Sequence, residues 1–164
     1  MKKRGQLSIN FGMLFSIILI AVIIAVGFYV IRYFLELRDC GAIGTFYENL
    51  QDEVDDAWQR EETALDFKIE LPSGISHVCV ADFSRSLDNS DAKEREIFNE
   101  LKKTLIPGKN VFIEPREKSC GLGAREIKHL DIDKIIAVKN PYCFENGESI
   151  RISKGISDRD VNLE

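Results

Sequence analysis

Histidine is scarce in this sequence, and no Cys-x-x-Cys pair occurs in it. His77 and His129 are the only histidines among 164 residues. The sequence therefore offers few candidate residues for a histidine-rich metal site or a Ser-His-Asp triad. The absence of a Cys-x-x-Cys pair gives no indication of a zinc ribbon or a thioredoxin-type site. We therefore expect no metal, no cofactor and no enzymatic activity.

Basic residues are also in short supply once the first few positions are set aside. The chain has 22 basic and 27 acidic residues and a net charge of −5. Lys2, Lys3 and Arg4 precede a long apolar segment, so the remainder has a net charge of −8 (−5 less 3). A nucleic-acid partner is excluded because phosphate binding needs a basic surface. No period of 20–50 residues repeats, which excludes solenoids and propellers.

The apolar segment is the main positive feature. No charged residue occurs from Gly5 to Ile31. About 20 apolar residues in a helix cross about 30 Å of hydrocarbon, so we predict a transmembrane helix over residues 6–35. The basic residues before it place the N-terminus in the cytoplasm and residues from about 32 onward outside the cell, as a single-pass protein of the cell membrane. A cleaved secretion signal would have a shorter apolar core, and the run continues past the small residues at 25–27.

The residues just before this helix resemble a known signal. Arg4-Gly5-Gln6-Leu7-Ser8, followed by Phe11 and an apolar helix, is similar to the class III signal peptide (Gln-x-Ser-x-Glu type) of archaeal pilin-like proteins. The resemblance implies that a prepilin peptidase cuts between Gly5 and Gln6, removes a cytoplasmic leader of residues 1–5 and leaves the helix on the mature protein. It also implies other pilin-like subunits as partners in a type IV pilus-like filament, and a helix half in the membrane and half packed on a sheet.

One position of this signal departs from the family. Asn10 stands where the family has Glu, and an amide cannot supply the negative charge that is thought to neutralise a neighbouring subunit's amino terminus. The recognition residues are therefore Gly5, Gln6, Ser8 and Asn10, with assembly in question. The alternative is an uncleaved signal anchor, with Ser8 or Asn10 capping the helix, that carries an extracytoplasmic binding module for an unknown ligand.

The four cysteines, Cys40, Cys79, Cys120 and Cys143, are candidates for disulfides. An extracellular location favours one or two bridges, and the three full pairings are not separated by the sequence. The alternative is four free thiols, since unpaired cysteine often packs as a small core residue.

Beyond the membrane the sequence predicts an α+β fold. An amphipathic helix is expected over residues 36–66, with a kink or hinge at Gly41 and Gly44. An α+β domain with one antiparallel sheet of four to six strands follows over 67–153, and a flexible tail over 154–164. The expected strands are 67–71 and 75–81, joined as a hairpin by Pro72-Ser73-Gly74, then 110–114, 134–138 and 149–153, with a helix over 90–108.

Four further patterns could carry chemistry, and each has a simpler interpretation. His77 and Cys79 share a strand face, as a Cys-His nucleophile would, but we interpret His77 as a strand residue beside a disulfide or core thiol. The Gly-x-Gly of residues 119–123 lacks a phosphate-binding context and is interpreted as a flexible loop. The acidic patch is interpreted as a solvated loop rather than a calcium site, and it consists of Asp82, Asp88, Asn89 and Asp91. The aromatic residues of the second helix are interpreted as core residues, and they are Phe46, Tyr47 and Trp58.

Overall fold

The computed structural model describes residues 11–85, 92–103 and 107–164. The described residues divide between Arg38 and Asp39 into two compact units, and we call the second unit, Asp39–Glu164, the head. The longest element, helix α1, runs from Phe11 to Gln59. Its N-terminal part lies in the first unit and its C-terminal part in the head.

In the first unit, α1 is exposed on every side. Every residue from 11 to 38 is exposed, including Phe11, Ile23 and Phe28, which are 81%, 61% and 67% accessible. An all-round apolar helix of this kind is typical of a membrane span.

In the head, α1 becomes amphipathic as the periodicity predicts. Six of its side chains are buried, namely Ile43, Phe46, Tyr47, Leu50, Val54 and Ala57. The predicted kink is wrong, because the helix continues through Gly41 and Gly44. Its predicted end at residue 66 is also wrong. The helix ends at Gln59 because strand β1 (Thr63–Lys68) begins four residues later.

Within the described residues, seven strands form two antiparallel sheets. Sheet A has the order β1-β6-β7, with β6 at Ser149–Lys154 and β7 at Asn162–Leu163. Sheet B has the order β4-β3-β2-β5. Its strands, in that order, are Ala124–Arg125, Val111–Glu114, His77–Val80 and Tyr142–Glu145. The α+β class and the antiparallel pairing are confirmed, while the single sheet becomes two.

The predicted hairpin between the first two strands is wrong. The turn at 72–75 is present, with the Ile75 amide donating to the Pro72 carbonyl at 2.9 Å. However, β1 pairs with β6 and β2 pairs with β3 and β5. The turn therefore carries the chain from sheet A to sheet B, because each strand finds its partner far along the sequence.

Sheet B has a helix against each face. Val78, Val80 and Ile113 belong to the main core with the buried residues of α1. On the opposite face, Cys79 and Phe112 are buried with Phe83 and Ile97, and Ile97 lies on α2 (Ala92–Lys103). The alternation of strand residues thus gives the sheet two apolar faces.

Two C-terminal predictions are corrected. Residues 134–138 were expected as a strand, but Ile132–Ile135 form a one-turn helix, α3, because the Asp131 side chain accepts a hydrogen bond from the Lys134 amide and caps it. The stretch 154–164 was expected to be loose, yet its end is β7, paired with β6. Val161 and Leu163 are buried there, which explains the order of this segment.

Candidate functional site

The apolar part of α1 has the length and composition of a membrane span. Its most apolar 18-residue window has a mean hydropathy of 3.0, and none of that window is buried. The hydroxyl of Ser16 donates to the Gly12 carbonyl at 2.9 Å, so this polar group is satisfied within the helix itself.

The end of this apolar part resembles a membrane–water boundary. Arg32 is the first charged residue after Arg4, and Glu36 and Arg38 follow it. Between them, the rings of Tyr33 and Phe34 meet edge to face at 6.3 Å. Tyrosine and long basic side chains are typical of the interface, where an apolar body and a polar tip are both accommodated.

The predicted recognition residues Gly5, Gln6, Ser8 and Asn10 lie outside the described residues. Their roles in processing remain predictions from the resemblance. The transmembrane prediction is supported only by the length and composition of the helix.

All four cysteines pair, as Cys40–Cys120 and Cys79–Cys143. Cys79 and Cys143 lie directly opposite each other on β2 and β5, with Cα atoms 4.0 Å apart. Cys40 and Cys120 have Cα atoms 5.5 Å apart and link α1 to the loop before β4. The disulfide expectation is supported, and the pairing that the sequence left open is now assigned.

The pairing removes the Cys-His nucleophile. Cys79 is fully buried within its disulfide, so it supplies no thiolate beside His77. His77 instead lies opposite Glu114 on β3 and Glu145 on β5. Within the described ranges, no group of three or more His, Cys, Asp or Glu side chains is arranged to hold a metal ion.

Glu114 has an unusual environment for a carboxylate. It is 8% exposed, and burial raises its pKa to about 6, with further contributions from the negative charges of Glu100 and Glu117. The opposing contribution of Arg116 is smaller. Sequence reasoning missed this residue because it is the last residue of an ordinary strand pattern.

The acidic patch is only partly described. Asp82 accepts a hydrogen bond from the Ser84 amide at 2.8 Å, and its interactions with Ser84 hold its pKa below the usual range. Arg85 lies 3.6 Å from the same carboxylate and also pairs with Asp133. Asp82 therefore closes a local turn, while Asp88, Asn89 and Asp91 lie outside the described residues.

The Gly-x-Gly loop, which we predicted to be flexible, makes several close contacts with its surroundings. Ser119 is fully buried, and its hydroxyl donates to the Arg116 carbonyl at 2.7 Å. Cys120 and Gly121 both have positive φ, at 56° and 78°. A Cβ on Gly123 would lie 2.7 Å from Cγ of Arg116 and 2.8 Å from Oγ of Ser119. The loop is closed by hydrogen bonds, by a disulfide and by this close approach.

The aromatic residues of α1 divide into two groups. Phe46 and Tyr47 are core residues as expected, and burial raises the pKa of the Tyr47 hydroxyl. Trp58 is 40% exposed and stacks on His129, with ring centroids 4.0 Å apart. The ammonium group of Lys154 donates to the carbonyl of Trp58 at 2.6 Å, so this cation caps the C-terminal end of α1. His129 and Lys154 carried no sequence signal for these roles.

The chain matches no protein-family model, and neither the curated proteins nor the solved structures provide a match.

Proposed function

We propose that this chain is a membrane-anchored, pilin-like surface protein. A prepilin peptidase removes its leader before Gln6, its apolar helix remains in the membrane, and its disulfide-bonded head lies outside the cell. The observation that carries the proposal is the contrast between the two parts of α1, one exposed and apolar and the other buried in the head. The helix is apolar and exposed all round from Phe11 to Ile31, and it forms part of the buried core of the head from Ile43 to Ala57.

The exposed apolar surface supports an anchor. Burial of apolar side chains is worth roughly 1.5–3 kcal/mol for each large residue. In water, the exposed apolar side chains from Phe11 to Ile31, about six turns of α1, gain none of this. A bilayer, or the apolar helices of neighbouring subunits, supplies the missing burial. A helix used in this way is a working part of the mature protein and is not discarded with a signal.

Charge and cysteine pairing support an outside location for the head. Lys2, Lys3 and Arg4 stand before the helix, whereas the chain beyond it is acidic. Two disulfides account for all four cysteines. Such bonds persist in oxidising surroundings and are reduced in most cytosols. The positive-inside rule gives the same orientation independently.

Asn10 favours a second candidate function. Without a carboxylate at this position, the chain serves as an uncleaved anchor for an extracytoplasmic binding module that does not polymerise. The two functions share the anchor and the outer head. They differ in processing and in self-association.

The anchor is tested with intact cells and isolated membranes. We expect the chain to stay in the membrane pellet after alkaline carbonate extraction, and externally added protease to digest the head of intact cells. Release by carbonate would exclude the anchor. Protection of the head in intact cells, with digestion after lysis, would reverse the proposed orientation.

Filament assembly is tested with Asn10→Glu and a matched Asn49→Glu control. Asn49 is an exposed residue of α1 in the head. If Asn10 limits assembly, Asn10→Glu increases crosslinked multimers and sheared filaments, whereas Asn49→Glu leaves both unchanged. Equal, monomeric behaviour of the wild type and both variants would favour the anchored binding module.

A further inference from the structure

The connection between strands β5 and β6 is bonded to the other crossing between the two sheets. Asn146 and Gly147 begin this connection, and residues 69–76 carry the chain from β1 to β2. The Asn146 amide donates to the Ser76 carbonyl at 2.9 Å, and the Gly147 amide donates to the Ile69 carbonyl at 3.0 Å. The two segments that pass from one sheet to the other therefore hold each other in place.

The carboxamide of Asn146 is held at both of its ends. Its Oδ1 accepts from the Leu71 amide at 3.0 Å, and its Nδ2 donates to the carbonyls of Leu71 and Ile75, each at 3.0 Å. A longer hydrogen bond joins Nδ2 to the Pro72 carbonyl at 3.4 Å. The position requires both an acceptor and a donor, so an ionised carboxylate cannot make the same bonds.

Asn146 and Gly147 also form the one Asn-Gly pair of the sequence. In such a pair the amide nitrogen of Gly can attack Cγ of the preceding Asn, because no side chain of Gly shields it. The N–Cγ bond forms, the Cγ–Nδ2 bond breaks, and Nδ2 leaves as ammonia with the proton of the attacking nitrogen. Water then opens the succinimide ring at either carbonyl, which gives aspartate or isoaspartate. Water is the only co-reactant.

In the folded head both reacting groups are engaged. The nitrogen that attacks has its N–H bonded to the Ile69 carbonyl, and the carboxamide that is attacked is bonded to Leu71 and Ile75. Ring closure turns both groups away from these partners, so the hydrogen bonds have to break first. The reaction therefore proceeds through states in which the head has opened at this crossing.

The products do not fit the place that Asn146 occupies. An aspartate carries a second oxygen where Nδ2 stands, and this oxygen would face the carbonyls of Leu71 and Ile75. Acceptors without a donor between them destabilise a half-buried site. Isoaspartate also adds one carbon to the main chain, which displaces the Gly147 amide from the Ile69 carbonyl.

We propose that the Asn146–Gly147 pair is a deamidation site that the folding of the head controls. The folded crossing protects the pair. When the head opens, Asn146 is converted to aspartate or isoaspartate, and the chain no longer regains the native arrangement of the two sheets. The inference uses contacts within the head alone, so it stands or fails independently of the membrane anchor and of N-terminal processing.

The rate of the reaction is measured in three samples at the same pH and temperature. These are the full chain in lipid nanodiscs, the full chain in urea with a reductant, and a synthetic peptide of residues 140–151. Trypsin releases the same peptide from the chain, since Lys139 precedes it and Arg151 ends it. Fragmentation in a mass spectrometer then locates the exchange of an amide for an acid. Asn140 is the control within that peptide, because Pro141 has no N–H with which to attack.

We expect Asn146 to react in urea at the rate of the peptide, and in the folded head at least about tenfold more slowly, because only the open fraction reacts. Replacing Cys79 and Cys143 by alanine raises that fraction and should speed the reaction in nanodiscs. Equal rates in the folded head and the peptide, or no acceleration in the cysteine variant, would overturn the protection. A reaction in urea no faster at Asn146 than at Asn162, which precedes Leu163, would overturn the site itself.

The loss of refolding is tested with Asn146→Asp and a matched Asn49→Asp control, since Asn49 is exposed on α1. We expect Asn146→Asp to unfold at a lower urea concentration than the wild type, and Asn49→Asp to unfold at the same one. Chains aged in urea until Asn146 has reacted should not regain the Trp58 emission of the folded head after dilution and reoxidation, whereas briefly unfolded chains should. A wild-type urea midpoint for Asn146→Asp, or full recovery of the aged chains, would overturn the loss of refolding.

Discussion

Glu114 should make the stability of the head depend on pH. The residue is 8% exposed and has a pKa of about 6 against an ordinary value of 4.5, chiefly because of burial. In this pH range the folded head binds more protons than the unfolded chain does. The contribution of protonated Glu114 to the free energy of unfolding is therefore fully present below about pH 4.5, and this contribution is lost as the pH rises through about 6.

The size of the effect follows from the same shift. One pKa unit corresponds to about 1.4 kcal/mol, so the ionisation of Glu114 costs the folded head at most about 2 kcal/mol above pH 7. Glu114→Gln keeps the shape of the side chain and removes the charge. We expect this variant to be about 1–2 kcal/mol more stable than the wild type at pH 7.5 and nearly equal to it at pH 4.5.

Urea unfolding of the full chain in lipid nanodiscs, followed by the emission of Trp58, measures this difference at several pH values. Glu61→Gln is the control, because Glu61 is exposed and lies outside both sheets, and it should change stability by less than about 0.5 kcal/mol. The reasoning is refuted if Glu114→Gln is destabilised at pH 7.5, or if its pH profile follows that of the wild type.

Three further predictions concern what holds the head together. Ile43→Ala removes a fully buried side chain and should cost about 2–5 kcal/mol in urea unfolding, whereas Ile156→Ala at an exposed position should cost less than about 0.5 kcal/mol; equal costs would contradict the burial. Replacing Cys79 and Cys143 together by alanine opens a link across 64 residues and should cost about 4 kcal/mol, and an unchanged urea midpoint would contradict the pairing. Gly123→Ala should raise hydrogen exchange in residues 116–125 and leave α2 unchanged, because its Cβ would lie 2.7 Å from Arg116; unchanged exchange would contradict this close approach.

The sequence predicted features that depend on neighbours along the chain. The amphipathic face from Ile43 to Ala57, strand β3, strand β6 and helix α2 all follow from the spacing of apolar residues within one element. The exposed apolar part of α1 follows from composition alone. In each of these cases the residues whose pattern predicts the element are the residues that form it.

The division into two sheets could not be predicted, because it depends on partners far apart in sequence. Thr63 pairs with Lys154, and the turn at Pro72 is compatible with a hairpin or with a crossing between sheets. The crossing is fixed by Asn146, whose side chain donates to the carbonyls of Leu71 and Ile75 from more than 70 residues away. No pattern around Asn146 distinguishes this role from an ordinary Asn-Gly turn.

The candidate site was predictable in part for the same reason. The apolar helix was found by its length, and the cysteines were found by counting, but their pairing required the register between β2 and β5. Residues 134–138 show the opposite error, since the first two residues of this strand-like run belong to helix α3, which Asp131 caps, and the other three form a turn.

The most direct test of the proposed function is the mass of the N-terminal peptide of the chain extracted from membranes that contain a prepilin peptidase. A peptide that begins at Gln6 and continues into the apolar helix is the predicted result. A peptide that begins at Met1 or Lys2 would contradict the pilin-like processing and leave a plain anchor. A terminus beyond Gly27 would contradict both, because the helix would then have been discarded with a secretion signal.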